Sequence, residues 1–248
     1  MNIVGLLQES FQRVKSNPLI LIPVLAATVL IALVSLILVG TMVPRIGGIG
    51  EIGPDTVVTA GEAVGYAGMA VGRMIALMVI SSIVGLLAHG MTVLMADDAL
   101  NDRPVGLSSA WQRVRPRIWA LVATSVVVGI LVSLGFMLLV LPGVVLAFLL
   151  MFTFVALMLQ ETGPFGAMGS SFRTVTAHFG TVFVFFLVII ALGLLVGVVN
   201  FVVALIPVLG AILTILVTSA YLSFLSVFVV AVFRGLSDST GGSPAPEA

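Results

Sequence analysis

The chain has 248 residues, of which 60% are hydrophobic and only 8% are charged, and its formal net charge is zero. Soluble globular domains carry about 25% charged residues, so this composition indicates an integral membrane protein. The scarcity of charge excludes an electrostatic nucleic-acid interface. The absence of cysteine excludes disulfides, thiolate catalysis and thiolate metal sites. We therefore expect membrane lipids as partners, no nucleic acid and no cofactor.

The segment 1–17 predicts a short amphipathic helix at the membrane interface. Its apolar residues recur at helical spacing: Ile3, Leu6, Leu7, Phe11 and Val14. We expect this apolar side to lie in the lipid. The uncharged run that begins at Pro18 and ends at Val43 is long enough for the first span.

A loop and the second span follow. Residues 44–65 are rich in glycine, proline and acidic residues, which is typical of a loop. The next uncharged stretch, Met74–Ala96, predicts the second span, with Arg73 at its entrance. If the helix also includes residues 65–72, Arg73 lies within it and extends its guanidinium to the lipid headgroups.

The uncharged run 118–160 predicts a tight transmembrane hairpin. A span needs about 20 apolar residues, so this run can cross twice but leaves almost nothing for a connecting loop. We place the turn at Leu141-Pro142-Gly143 and the two spans at about 118–140 and 143–160. The uncharged run 179–233 is also too long for one crossing, and Pro207 divides it into the fifth and sixth spans.

The basic residues predict the orientation. Six spans place both termini on one face, and eight of the ten Lys and Arg residues fall on that face: Arg13, Lys15, Arg103, Arg113, Arg115, Arg117, Arg173 and Arg234. Arg45 and Arg73 fall on the opposite face. Because basic residues are enriched on the cytoplasmic side, we expect a multi-pass protein of the cell membrane with both termini in the cytoplasm.

Three segments resemble one another and indicate an internal repeat. Residues 10–14, 110–114 and 171–175 each have a small residue, an aromatic residue, two polar residues and a valine. Each segment precedes a pair of spans, so the predicted unit is an interfacial helix followed by a hairpin, used three times. The alternative is that the three segments became similar independently, because any helix at a membrane surface favours an aromatic residue and an arginine.

The predicted fold is all-α and polytopic. It has six transmembrane helices in three hairpins, each preceded by a short amphipathic interfacial helix. We expect a single membrane domain over residues 1–236 and a disordered cytoplasmic tail over residues 237–248, which is small, polar and Pro/Gly-containing.

These features resemble a known membrane domain. The S-F/W-x-R-V helices, the Leu-Pro-Gly turn at 141–143 and the segment Q-E-T-G-P-F-G-A-M-G-S-S-F at 160–172 are similar to the six-helix domain fused to some glycerophosphodiester phosphodiesterases, and to its stand-alone relatives in bacteria and archaea. The resemblance covers nearly the whole chain, but its motifs are architectural. It implies a fold and an association with the envelope or with lipid. It does not imply the phosphodiesterase activity, because no segment here resembles the soluble catalytic domain.

A few polar residues inside the spans are candidates for function. His89 is the one ionisable residue well inside a predicted span, and such a group is a functional candidate. It is either a structural histidine, hydrogen-bonded to a helix that approaches closely at Gly85, or a residue with a proton or substrate role. Asn200, Thr214 and Thr218 either line a polar path with His89 or hold neighbouring helices together.

An acidic cluster lies at the end of the second span. Asp97, Asp98 and Asp102 are close enough in sequence to share one Mg²⁺. The alternative is a solvated helix end followed by an Asn-Asp turn.

A basic and aromatic patch precedes the third span. Arg113, Arg115 and Arg117, with Trp111, form the densest such patch in the chain. Basic residues at this position fix the topology. They also attract anionic lipid headgroups by about 1 kcal/mol per charge.

Three hypotheses for function follow from these residues. The first is a non-enzymatic membrane component that organises lipids or partner proteins, which include a second copy of the chain, and it predicts a packed core. The second is a transporter or channel for a small or lipid-like solute, and it predicts a water-filled cavity lined by His89 and Asn200. The third is a Mg²⁺-dependent lipid-modifying enzyme that uses Asp97, Asp98 and Asp102, and it predicts divalent-cation binding.

Overall fold

A computed structural model describes residues 3–40, 60–160, 162–206 and 209–239 of the chain. These residues are 92% helical and contain no strand, so the predicted all-α fold is confirmed. Six segments within these ranges are helical, long and apolar enough to cross a membrane. The chain is therefore a multi-pass membrane protein.

Ten α-helices and two short 3₁₀ turns make up these ranges. The helices are α1 (Ile3–Ser16), α2 (Leu21–Gly40), α3 (Ala60–Leu100), α4 (Leu107–Val114), α5 (Ile118–Leu138), α6 (Val140–Leu149), α7 (Thr153–Leu159), α8 (Pro164–Ala177), α9 (Phe179–Ala204) and α10 (Leu209–Ser239). The 3₁₀ turns, Pro18–Ile20 and Arg115–Arg117, lead directly into α2 and α5. The predicted disordered tail over 237–248 is wrong for its first three residues, because α10 continues to Ser239. Residues 240–248 and the predicted break at Pro207 lie outside the described residues.

The chain divides into two compact units. The smaller unit consists of Ala26–Gly85, and the larger unit consists of Met1–Leu25 and Leu86–Ala248. In the smaller unit α3 begins at Ala60, so the predicted loop over 44–65 is wrong for its last residues, and residues 41–59 lie outside the described part of the chain. Because α3 runs without interruption through Arg73, the expectation that the helix extends outward over residues 65–72 is confirmed.

A cluster of phenylalanine rings fills the core of the larger unit. The ring of Phe152 stacks on that of Phe185 at 5.8 Å between centroids and lies 5.6 Å from that of Phe233. Phe185 in turn meets the ring of Phe228 edge-on at 4.9 Å. All four side chains are buried. The cluster joins α9 and α10 to the segment between α6 and α7.

The first helix packs on protein rather than on lipid alone. Helix α1 lies against α10, and four of its five predicted apolar residues pack against the buried core: Ile3, Leu6, Leu7 and Val14. Only Phe11 is mainly exposed, at 62%. These four side chains are only partly buried, so the expectation that this side of α1 also contacts lipid stays a prediction.

The three segments that resemble one another share a burial pattern. Their small residues, Ser10, Ala110 and Ser171, are fully buried. Their aromatic residues are exposed: Phe11, Trp111 and Phe172. In each segment the small residue thus allows the short helix to approach its neighbours, while the aromatic ring faces outward. The repeat and the interfacial location of these helices stay predictions.

The hairpin between α5 and α6 turns at one residue. Leu139 has extended backbone angles, φ −167° and ψ 152°, between the two helices. The predicted turn at Leu141-Pro142-Gly143 is wrong by two residues, because these residues form the first turn of α6. Proline is tolerated there since the first amide groups of a helix have no partner within the helix. The helices cross closely at Gly143, whose Cα would lie 2.9 Å from a Cβ added at Gly135.

The fourth span is broken, although the sequence predicts one helix over 143–160. Helix α6 ends at Leu149 and α7 begins at Thr153. The hydroxyl of Ser171, on α8, donates a hydrogen bond to the Leu149 carbonyl (2.8 Å) and accepts one from the Phe152 amide (3.2 Å). This side chain therefore satisfies backbone groups that the break releases, as a membrane-spanning segment requires.

Replacing Gly135 by alanine should destabilise the hairpin. The new methyl group would lie 2.9 Å from Leu146 Cδ1 as well as from the Gly143 backbone, and overpacking of this kind costs about 1–3 kcal/mol. The measurement is the unfolding free energy of the purified protein in mixed micelles. The control is Gly129→Ala on the same helix, where the added methyl group meets nothing within 4 Å. Equal stability of the two variants would contradict the proposed close crossing.

Candidate functional site

Two adjacent carboxylates are buried in the last turn of α3. Asp97 and Asp98 are each only 4% exposed. The interpretation of this segment as a solvated helix end is therefore wrong for both residues. Buried carboxylates are found where positive groups and hydrogen-bond donors compensate them, and this end of α3 is surrounded by arginines.

The turn after α3 brings one of these arginines back to the helix. Asp102 has a positive φ of 53°, in the left-handed region that aspartate tolerates better than most residues. The Arg103 amide donates to the Asp98 carbonyl (2.8 Å) and the Asp102 amide to the Ala99 carbonyl (3.4 Å), which is the hydrogen-bond pattern of a Schellman helix end. The predicted Asn-Asp turn is confirmed, and it reverses the chain so that Arg103 faces the buried carboxylates.

Three guanidinium groups from three different elements bind the two carboxylates. Arg103 lies 2.6 Å from the Asp97 carboxylate and 3.4 Å from that of Asp98. Arg113, on α4, pairs with Asp98. Arg234, on α10, lies 2.6 Å from Asp97. The contacts of Arg103 with Asp97 and of Arg113 with Asp98 are charge-assisted hydrogen bonds, which are about twice as strong as neutral ones. Together with the other two ion pairs they offset much of the cost of burying the carboxylates.

Three further contacts, made by Arg234 and Arg13, hold the last and the first described helices at the same place. Arg234 also donates to the Asn101 side-chain oxygen at 2.5 Å. Arg13, on α1, donates to the Ala99 carbonyl at 3.0 Å and pairs with the exposed carboxylate of Asp102. The hydrogen bond from Arg13 lowers the pKa of the Asp102 carboxyl below its ordinary value of 3.8. The N-terminal helix, the C-terminal helix and the end of α3 thus form one ionic network.

Arg117 satisfies the end of another helix. Its guanidinium donates to the carbonyl oxygens of Leu157 (3.3 Å) and Met158 (3.2 Å) in the last turn of α7. The last carbonyl groups of a helix have no partner within the helix. Arg117 therefore connects the start of α5 with the end of the fourth span.

Several of these arginines line a pocket of about 480 Å³. Its polar lining consists of Asp97, Gln112 and four arginines: Arg103, Arg113, Arg117 and Arg234. The remaining lining residues, Leu94, Pro116, Met158 and Leu159, are apolar. A volume of this size lies within the range of about 300–1,000 Å³ that is typical of small-molecule sites. The structure therefore contains a concave, arginine-lined site with one apolar wall, which we call the arginine pocket.

The predicted basic and aromatic patch is split by the structure. Arg113 and Arg117 line the arginine pocket, whereas Arg115 and Trp111 do not and are exposed. Arg103 and Arg234 were predicted only as determinants of topology. Arg103 could have been identified from the Asp97-Asp98 pair close to it in the sequence, because two carboxylates at the end of a span need nearby cations. No such sequence signal points to Arg234.

The predicted polar residues of the spans lie apart from the arginine pocket. Asn200 donates a hydrogen bond to the Thr218 hydroxyl at 3.0 Å, which joins α9 to α10 as the packing interpretation expects. Within the described residues the buried Thr214 hydroxyl has no hydrogen-bond partner. None of these three side chains, nor His89, lines the pocket.

His89 lies against an aromatic ring. Its imidazole meets Phe154 edge-on at 6.1 Å between centroids. The expected close approach at Gly85 is wrong, because a Cβ there would meet nothing within 4 Å. The close approach is instead at Gly90, where an added Cβ would lie 3.2 Å from Leu121 Cδ1.

The three aspartates of the predicted Mg²⁺ site are not brought together. Asp97 and Asp98 pair with the pocket arginines, whereas Asp102 pairs with Arg13. Among the residues that the structure describes, no three His, Asp or Glu side chains form a group that could hold a metal ion.

Compared with protein-family models, with curated proteins and with solved structures, the chain matches none. The resemblance to the six-helix domain of some glycerophosphodiester phosphodiesterases therefore stays a prediction.

Replacing Asp98 by asparagine should destabilise the larger unit by about 2 kcal/mol, because the charge-assisted bonds to Arg103 and Arg113 are lost at a buried position. Thermal and denaturant unfolding in an uncharged detergent measure the change. Asp102→Asn is the matched control, since its ion pair with Arg13 is exposed and exposed pairs contribute little. An equal loss in both variants would contradict a special role for the buried pair.

The contact between Asp102 and Arg13 should depend on pH. Because the pKa of Asp102 is lower in the folded protein than its ordinary value of 3.8, its contribution to stability is complete above that value and is lost as the pH falls through the folded-state pKa. The difference in unfolding temperature between the natural protein and Asp102→Asn should be constant well above pH 3.8 and shrink as the pH falls below that value. A difference that grows on acidification would have the wrong sign.

Proposed function

We propose that this protein is a non-enzymatic component of the cell membrane that organises lipids or partner proteins, with both termini in the cytoplasm. The observation that carries the proposal is the phenylalanine cluster of the larger unit. A transport path needs water or solute between the spans. Three ring contacts instead connect four buried side chains there: Phe152, Phe185, Phe228 and Phe233.

Buried hydroxyl groups of the spans support the same proposal. Thr92 donates to the Ala88 carbonyl (2.8 Å) and Thr124 to the Ala120 carbonyl (2.7 Å). Ser226 likewise donates to the carbonyl four residues before it, at 2.9 Å. Each hydroxyl is thus satisfied within its own helix, so it does not need a solute or a water molecule as a partner.

The distribution of charge supports the orientation. Five arginines from distant parts of the chain meet in the ionic network and the pocket: Arg13, Arg103, Arg113, Arg117 and Arg234. Basic residues gather on the cytoplasmic side of membrane proteins, and this side attracts anionic lipid headgroups.

Transport of a small or lipid-like solute is the second candidate, and the broken fourth span favours it. Broken helices occur at the binding sites of transporters. The hydroxyls of Thr153, next to the break, and of Ser223 are buried without a hydrogen-bond partner among the described residues. A solute that entered the larger unit could use these groups.

The absence of native cysteine allows a direct test. In intact membranes, a water-soluble maleimide should fail to label His89→Cys, because a packed core excludes water from the middle of the span. Asp55→Cys, in the predicted outer loop, should react and is the control for reagent and expression. Labelling of His89→Cys at a rate close to that of the control would contradict the packed core and favour the transport hypothesis.

A further inference from the structure

The arginine pocket contains more positive than negative charge. The guanidinium groups of Arg103, Arg113 and Arg234 face only two carboxylates, those of Asp97 and Asp98. These three guanidinium groups therefore carry one more positive charge than the two carboxylates that they bind. An excess positive charge attracts a negatively charged ligand, so the pocket favours the binding of an anion.

The pocket also offers unused hydrogen-bond donors. The side chains of Arg103, Arg113 and Arg234 are 50%, 39% and 38% exposed, although each binds a carboxylate. Within the described residues the buried Nε of Arg234 has no acceptor. Each guanidinium carries five N–H donors in a planar fork that can bind two oxygens of one phosphate.

The shape of the donor set favours a phosphate over a carboxylate. The arginines come from the turn after α3, from α4, from the 3₁₀ turn before α5 and from α10, so they surround the pocket from several directions. A tetrahedral phosphate offers oxygens in several directions, whereas a carboxylate offers two oxygens in one plane.

The position of the pocket identifies the membrane boundary as its surroundings. Its lining residues Asp97, Leu159 and Arg234 lie at the ends of the second, fourth and sixth spans, and Arg117 directly precedes α5. Alternate spans end on the same face, which is the level of the lipid headgroups. The apolar wall, which includes Leu94 and Met158, can contact the glycerol backbone and the first methylene groups of a lipid.

We propose that the arginine pocket binds an anionic phosphate group. The proposal rests on the proposed function, because it names the lipid chemistry that such an organiser would recognise. The same chemistry is found in an anionic phospholipid headgroup and in free phosphate, and the experiment separates these two sources.

The test uses a substitution that changes the charge of the pocket and leaves every arginine in place. Gln112 lines the pocket and is exposed, so Gln112→Glu adds a negative charge that occupies the place of the anion. The matched control is Gln12→Glu. Gln12 has the corresponding position in the predicted repeat, is also exposed and does not line the pocket.

The purified full chain in uncharged detergent is titrated with dioctanoyl phosphatidylglycerol, and its unfolding temperature is measured, since a ligand that binds the folded state raises this temperature. Dioctanoyl phosphatidylcholine, whose cationic choline the arginines repel, is the lipid control. We expect phosphatidylglycerol, but not phosphatidylcholine, to stabilise the natural protein and Gln12→Glu. We expect Gln112→Glu to bind it about tenfold more weakly, while the ligand-free unfolding temperature of that variant is unchanged or higher.

Inorganic phosphate in the same titration identifies the source. If it neither stabilises the protein nor competes with phosphatidylglycerol, the ligand is the lipid headgroup. If it competes, the pocket accepts the phosphate group itself, and the proposal stands with a soluble source. Equal binding by Gln112→Glu and Gln12→Glu, or stabilisation by neither lipid nor phosphate, would overturn the proposal. That result would not affect the packed core, which the labelling of His89→Cys tests separately.

Discussion

The burial of two neighbouring carboxylates at the end of α3 is the constraint to which the larger unit is adapted. Asp97 and Asp98 repel one another, are removed from water and lie at the C-terminal end of a helix, where the helix dipole also disfavours negative charge. All three effects oppose the folded state. They are overcome only when arginines from the following turn, from α4 and from α10 meet at this helix end. Elements that are far apart in sequence are thereby held in one arrangement.

The same helix end also holds the first helix in place. Arg13 reaches the Ala99 carbonyl and Asp102, while α1 packs along α10. The packing is apolar and non-directional, whereas the ionic contacts require a defined geometry. Together they determine the position of α1, and the arginine pocket is formed where these contacts leave space beside the ends of the spans.

Much of the fold could be predicted because hydropathy and charge are local properties of the sequence. The six spans, the helical start at Pro18 and the turn after Leu100 all depend on residues close together in the chain. The break after Leu149 could not be predicted, because the side chain that stabilises it is Ser171 on another helix. The hairpin turn was misplaced because its position depends on the close contact of Gly135 with Gly143, and not on the proline alone.

The candidate site was harder to predict for a related reason. Arg113 and Arg117 belong to a dense local cluster, so they were identified from the sequence. Arg234 is isolated at the end of a long apolar run, and only its contact with Asp97 in the folded chain shows its role. Positively charged residues near a span are usually interpreted as determinants of topology. An arginine that also neutralises a buried acid is therefore easily overlooked in the sequence.

The turn at Leu139 has a consequence for how the protein enters the membrane. One extended residue joins α5 to α6, and the residues around it are apolar. The turn therefore contains no polar segment that could stay in water before α6 inserts into the membrane. An unpaired α6 would leave its first amide groups and its glycine surface exposed to hydrocarbon. The two helices are therefore expected to leave the insertion machinery together as a preformed pair.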